Sequence, residues 1–267
     1  MTEEFFEAND TQIRDLSVKF TGYTVQIDHL AIRRWLRQFD LNDMALGLKL
    51  LEYIDYHSPD RMIRECTLLQ NQINALPEGF NLGNSYFAGF SRAGHSSGIM
   101  LERYRLANNF ASPRYDEHFI YLSSLSLFFN KRNAKFFFIE DFAGTGDSTI
   151  QLWNEIRDFV PNPDNVYLLL CVTHDEARRR IASDTPLTII PNKVLFNADK
   201  ILSPQNTFFS NDEKNKLRAY CEKAGSEPLG YGDSQSNVVF FYRAPNNIIS
   251  ILRANNNNWK GLFLRFL

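Results

Sequence analysis

The segment 135–149, KFFFIEDFAGTGDST, restricts the possible folds of this chain more than any other stretch. Residues 136–139 are apolar on consecutive positions, the pattern of a strand buried on both faces of a parallel sheet between helix layers. Glu140 and Asp141 follow at its carboxyl end, where open α/β sheets place their ligands. Phe142, Ala143, Gly144, Thr145 and Gly146 then make a tight turn, and its glycines let backbone amides approach a ligand with no Cβ in the way. Asp147, Ser148 and Thr149 open a helix whose free amides and partial positive end suit an anion. Strand, turn and helix in this order predict an α/β architecture with its site at the carboxyl edge of the sheet.

The rest of the chain fits that frame. From Ile27 to about Leu76 the apolar spacing is helical, through Leu30, Ile32, Trp35, Leu36 and Phe39 and then Met44, Leu46, Leu48, Leu50, Leu51 and Ile54. A further helix opens at HSPDRMIRECTLLQNQI, with Ser58 as cap and Pro59 at the first helical position. The turn-rich stretch 77–84, PEGFNLGN, predicts a boundary between a helical domain over 1–80 and a second domain over 81–267, with proteolysis expected there. Beyond it, short apolar runs alternate with helical stretches: SYFAGF, a helix to Asn108, KFFFIEDF, a helix through Ile150 to Ile156, NVYLLLCVTH, a helix through Ala177 to Ile181, and KVLFNADKIL. A helix over 211–224 follows. The Gly-rich, aromatic tail PLGYGDSQSNVVFFYRAPNNIISIL predicts extra strands and turns over the sheet.

Composition removes several function classes. Hydrophobic residues make up 44% and charged residues 22% of 267, ordinary for a globular protein with a sizeable core. Lys and Arg number 29 against 31 for Asp and Glu, so no strong overall field draws the chain to nucleic acid or anionic lipid. The acidic start MTEEFFEAND lacks the basic region and apolar stretch expected of a secretory signal, and no apolar run approaches the roughly 20 residues of a membrane span. Cys66, Cys171 and Cys221 are widely spaced, which fits a reducing cytoplasm better than a disulfide scaffold. The histidines show no zinc-type spacing.

Two acids and an anion-ready loop in one segment suit the two ends of ribose 5-phosphate, the carboxylates accepting from ribose hydroxyls and the loop amides holding the phosphate. A P-loop requires lysine after the second glycine, and Asp147 stands there. DFAGTGDST also resembles the FxGxG turn of S-adenosylmethionine-dependent adenine methyltransferases, but their Asn/Asp-Pro-Pro-aromatic tetrapeptide is absent. A third reading is a plain strand-to-helix turn with Asp147 and Ser148 as capping groups.

FFFIEDFAGTGDST resembles the phosphoribosyl pyrophosphate (PRPP) loop of type I phosphoribosyltransferases. The chain further resembles the phosphoribosyltransferase-like proteins of prokaryotic conflict systems, the PRTase-CE group, over most of residues 27–267. The likeness is carried by RRWLRQFDLNDMALGLKLLEYIDYHSPDRM, by FAGFSRAGHSSGIMLERYR after the first strand, and by the tail with Trp259, Phe263 and Arg265. It implies a type I phosphoribosyltransferase-like parallel-sheet core behind a small N-terminal helical domain. Glu140 and Asp141 would bind the ribose hydroxyls and act as the catalytic acids, and Gly144, Thr145, Gly146, Asp147, Ser148 and Thr149 would hold the 5-phosphate. Arg92, Ala93, Gly94, His95 and Ser96 would form the pyrophosphate loop. Mg²⁺ would enter with PRPP rather than on protein ligands, and the activity would be transfer of a phosphoribosyl group to a nitrogen acceptor, in an antiphage effector or regulator acting beside a retron or another sensor. Asp147 departs from the family pattern, because a carboxylate beside a dianionic phosphate repels it unless its side chain turns away.

A reading of a different class is a non-catalytic module that senses a nucleotide and engages a protein partner through the N-terminal helices. There Arg33, Arg34 and Arg37 also offer contacts to nucleic-acid phosphates, although a solvated charged face is the commoner role for such a run. Tyr231, Phe240, Phe241 and Tyr242 are candidates for stacking a base, against the alternative of core packing.

Overall fold

The computed structural model describes residues 2–91 and 97–264. In chain order the elements are α1 (Thr2–Ala8), α2 (Asp10–Lys19), α3 (His29–Leu36), α4 (Met44–Tyr53), β1 (Asp55–His57), α5 (Pro59–Asn74), β2 (Ser85–Gly89) and α6 (Ser97–Ala107). They continue with β3 (Lys135–Ala143), α7 (Asp147–Ile156), β4 (Val166–His174), α8 (Asp175–Asp184), β5 (Thr188–Leu195), α9 (Asn211–Ala224), β6 (Val238–Phe240) and α10 (Ser250–Arg253). The chain divides into two compact units, one formed by Met1–Pro59 with Asn197–Leu267 and the other by Asp60–Phe196.

Four parallel strands in the order β2-β3-β4-β5 form the sheet of the second unit. Every residue of β4 is buried, as its unbroken apolar run requires in a sheet covered on both sides. Because successive side chains of a strand alternate between faces, β3 feeds two layers. Phe136 and Phe138 join Leu168 and Leu170 in a core with Leu152, Trp153 and Ile156 of α7 and Ala177 and Ile181 of α8. On the other face Phe137 stacks on Phe87 at 5.2 Å and on Tyr167 at 4.8 Å between ring centroids.

Helix α5 belongs with this sheet. Its Met62, Cys66, Leu69 and Ile73 are fully buried, and Asn192 of β5 donates to Glu65 through contacts of 2.8 Å (O) and 2.6 Å (Oε2). The stretch 77–84, read as a domain boundary from its turn composition, therefore lies inside the second unit, between α5 and β2. It is anchored there, since Lys135 Nζ donates to Gly79 O at 3.0 Å and Tyr167 Oη to Glu78 at 2.6 Å.

In the first unit the N-terminal helices share a core with the C-terminal segment. Trp35 of α3 and Trp259 both donate their indole N–H to Ile251 O, at 2.9 and 2.8 Å. Phe20 meets Phe263 edge-on at 4.9 Å, and β1 pairs in parallel with β6. Two sequence expectations change here. The C-terminal strand Val238–Phe240 does not extend the four-stranded sheet but pairs with Asp55–His57 in a separate two-stranded one. The run KVLFNADKIL is a strand only to Leu195, after which the chain makes a short 3₁₀ turn at Asn197–Asp199.

All three cysteines are buried and free. Burial pushes the Cys66 and Cys221 thiols up to about 12 and raises Cys171 well above its ordinary value. Among the described residues no helix is long and apolar enough to cross a membrane.

Candidate functional site

The site is built at the carboxyl ends of β2, β3 and β4. Parallel pairing brings Gly89 opposite Ile139, and Phe90 N donates to Ile139 O at 2.8 Å, so the segment after β2 leaves the sheet beside Glu140. Glu140 and Asp141 retain only 9% and 3% of their exposure. Strand alternation puts Glu140 on the face of Phe136 and Phe138, toward α7 and α8, and Asp141 on the face of Phe137 and Ile139. The Cys171 thiol reports the second placement: burial raises it most, and the neighbouring Cys66, Glu65 and Asp141 raise it further. The two acids therefore flank the end of one central strand.

The turn that follows is held from below. Thr173 Oγ1 of β4 donates to Ala143 O at 3.2 Å where β3 stops. Gly146 has φ +82° and ψ −8°, the left-handed region, and forms the N-cap of α7. A Cβ there would lie 3.0 Å from Ile181 Cγ1 and 3.4 Å from Ala177 O, so glycine is needed both for conformation and for contact with α8. Gly146→Ala is expected to destabilise the protein by about 1–3 kcal/mol through left-handed strain and crowding. Denaturant unfolding of the single variant checks this; an unchanged midpoint would show that the turn relaxes freely.

Having no side chain, Gly146 places no capping oxygen over the first-turn amides of α7, and Asp147 does not take that role either. Thr145 Oγ1 donates to Asp147 Oδ2 at 2.7 Å, while Arg180 of α8 lies 2.6 Å from Asp147 Oδ1 and donates to Thr145 O at 3.4 Å. Ser148 is exposed and Thr149 buried. The structure thus gathers Glu140, Asp141 and residues 144–149 at one sheet edge. Arg92, Ala93, Gly94, His95 and Ser96 lie outside the described residues. The ends of that loop are close, with Ser91 Oγ and Ser97 Oγ 2.5 Å apart, and a Cβ on Gly89 would come within 2.9 Å of Ser97 O.

Two neighbours of the site are not marked by any motif in the sequence. His174, at the last position of β4, is 2% exposed and meets Phe142 edge-on at 5.6 Å. Arg180 lies in the run Arg178, Arg179, Arg180, and the first two of these turn instead to Asp175. The available signal was position alone: this run lies in the helix after the strand next to the glycine turn.

Other candidates are engaged elsewhere. Arg33 and Arg37 pair with Asp10 at 2.7 Å and Glu3 at 2.6 Å, within the first unit. Phe240 is fully buried and stacks on Tyr242 at 5.8 Å. Among the described residues no group of three or more His, Cys, Asp and Glu side chains is arranged to hold a metal ion.

No curated protein gives a significant match. The PRTase-CE family model matches residues 32–265, a span that takes in part of each segment of the first unit and the whole parallel-sheet unit with its glycine turn. With a parallel α/β core of the type I phosphoribosyltransferase kind and a match over most of its length, this chain belongs to the PRTase-CE family.

Proposed function

We propose that the protein binds PRPP, or a nucleotide carrying the same 5-phosphorylated ribose, and transfers the phosphoribosyl group to a nitrogen acceptor with release of pyrophosphate. The observation that carries this reading is the meeting of two buried carboxylates with a left-handed glycine turn and a helix start at one sheet edge. The amides of residues 144–149 hold the 5-phosphate, where the open helix end favours an anion. Glu140 and Asp141, one on each side of the strand end, accept from the ribose hydroxyls. As the bond from C1 to the pyrophosphate oxygen breaks and the bond to nitrogen forms, positive charge develops on the ribosyl ring, and the same carboxylates stabilise it.

The loop over 92–96 is assigned to the pyrophosphate. Mg²⁺ belongs to the substrate in this scheme, arriving on the pyrophosphate and neutralising its charge as it leaves. The likeness to conflict-system proteins supports a role as a cytoplasmic antiphage effector or regulator, in which the helices at the N-terminus offer the surface for a protein partner. That assignment rests on analogy of family rather than on the site.

Incubation with PRPP, Mg²⁺ and a panel of nucleobases, with pyrophosphate as the readout, tests the enzyme reading. Base-dependent release is expected. Tight nucleotide binding with no release under any base would replace the transferase by a sensor.

A further inference from the structure

Asp147 is a negative charge at the first helical position behind a turn assigned to a phosphate, and the proposed function has to account for it. Like charges that close repel even through water. Both oxygens of this carboxylate are engaged: Oδ1 by the Arg180 guanidinium at 2.6 Å and Oδ2 by the Thr145 hydroxyl at 2.7 Å. Arg180 also donates to Thr145 O at 3.4 Å, so one side chain of α8 grips the turn at two points. Its other acidic neighbour, Asp184, is 3.9 Å away. The backing is fixed as well, because Ile181, the next residue of α8, packs directly against Gly146.

We propose that Arg180 is a positioning residue of the phosphate turn, holding and neutralising the Asp147 carboxylate so that the turn presents amides and not a negative charge to a phosphorylated ligand. The inference rests on the reading of residues 144–149 as a phosphate site and adds a residue from a different element to it. Stability does not explain the pair. Arg180 and Asp147 keep 50% and 39% of their side-chain exposure, and ion pairs so exposed contribute little to folding. Binding is where the charge counts, because a carboxylate without the Arg180 guanidinium beside it faces a dianion with less of its charge masked.

A charge cycle with ribose 5-phosphate as the calorimetric probe tests this on the full chain. Arg180→Ala is expected to weaken binding by roughly tenfold or more, while its melting temperature stays within a degree or two of the unmodified protein. Adding Asp147→Asn to Arg180→Ala removes the charge that Arg180 masks, and most of the lost affinity returns. Asp147→Asn alone binds at least as tightly as the unmodified chain. Unchanged affinity in Arg180→Ala overturns the proposal, and so does a double variant as weak as the single, which would make Arg180 a direct ligand contact. Absence of binding to the unmodified chain overturns this inference together with the phosphate-site reading, whereas binding without rescue overturns this inference only.

Discussion

The Glu140→Gln/Asp141→Asn variant is expected to fold and to lose its response to PRPP. Both amides are isosteric with the acids and retain hydrogen-bonding capacity, so the strand end keeps its shape. What disappears is negative charge on both faces of β3 at the point where a ribosyl cation would develop. Ligand at a hundred times its dissociation constant stabilises a protein by about 2.7 kcal/mol, on the order of 5 °C in melting temperature for a chain of this size. The unmodified protein should show that shift with Mg²⁺ and PRPP, and the variant should show little of it. Turnover should fall by about 100-fold or more, the scale of losing a principal electrostatic contact to a transition state. Differential scanning fluorimetry with a pyrophosphate assay decides it. A full ligand shift with full turnover would make the acids bystanders, and an unfolded variant would make them structural.

Trp259→Ala is expected to cost about 3–5 kcal/mol, the range for removing a large aromatic side chain from a core. Trp259 is 1% exposed, meets Phe39 edge-on at 5.2 Å, and lies 5.9 Å from Tyr220. It also completes the pair of indole donors on Ile251 O. Because these partners come from both ends of the chain, the loss should be felt throughout the unit formed by Met1–Pro59 and Asn197–Leu267. Trp259→Phe keeps much of the packing and gives up the hydrogen bond, so it should fall between the two. Denaturant midpoints for the three proteins give the comparison. Equal midpoints for Trp259→Ala and the unmodified chain would mean that the C-terminal segment is an appendage to the helices and no part of their core.

These expectations draw unequally on sequence and structure. The central strands were legible because FFFI and VYLLLCV are apolar without interruption, short, rich in aromatic and branched residues and bounded by turn residues, which together suit a doubly covered parallel strand. Helix α9 stands where the sequence placed it, over 211–224, and the structure adds a capping box of Ser210 and Glu213 at its start. The glycine turn was legible from its neighbours, two acids before it and a helix start after it.

The division of the chain was not legible, for a physical reason. Composition shifts at 77–84, but what assigns α5 to the sheet is the hydrogen bonding of Glu65 and Gln72 to Asn192, some 120 residues onward. Likewise the pairing of Asp55–His57 with Val238–Phe240 joins two strands of three residues, too short for alternation to declare them. The partner of Asp147 was hidden in the same way. An arginine in a run of three on a helix is ordinarily a solvated charge, and only the approach of α8 to the turn separates Arg180 from Arg178 and Arg179.

The central claim is that residues 140–149 hold a 5-phosphorylated ribose. Calorimetric titration of the unmodified chain with PRPP and Mg²⁺, and in parallel with S-adenosylmethionine, tests it most directly, since both ligands suit a glycine turn after a parallel strand. Saturable binding of PRPP with no heat from S-adenosylmethionine is the expected result; binding of S-adenosylmethionine alone would contradict it.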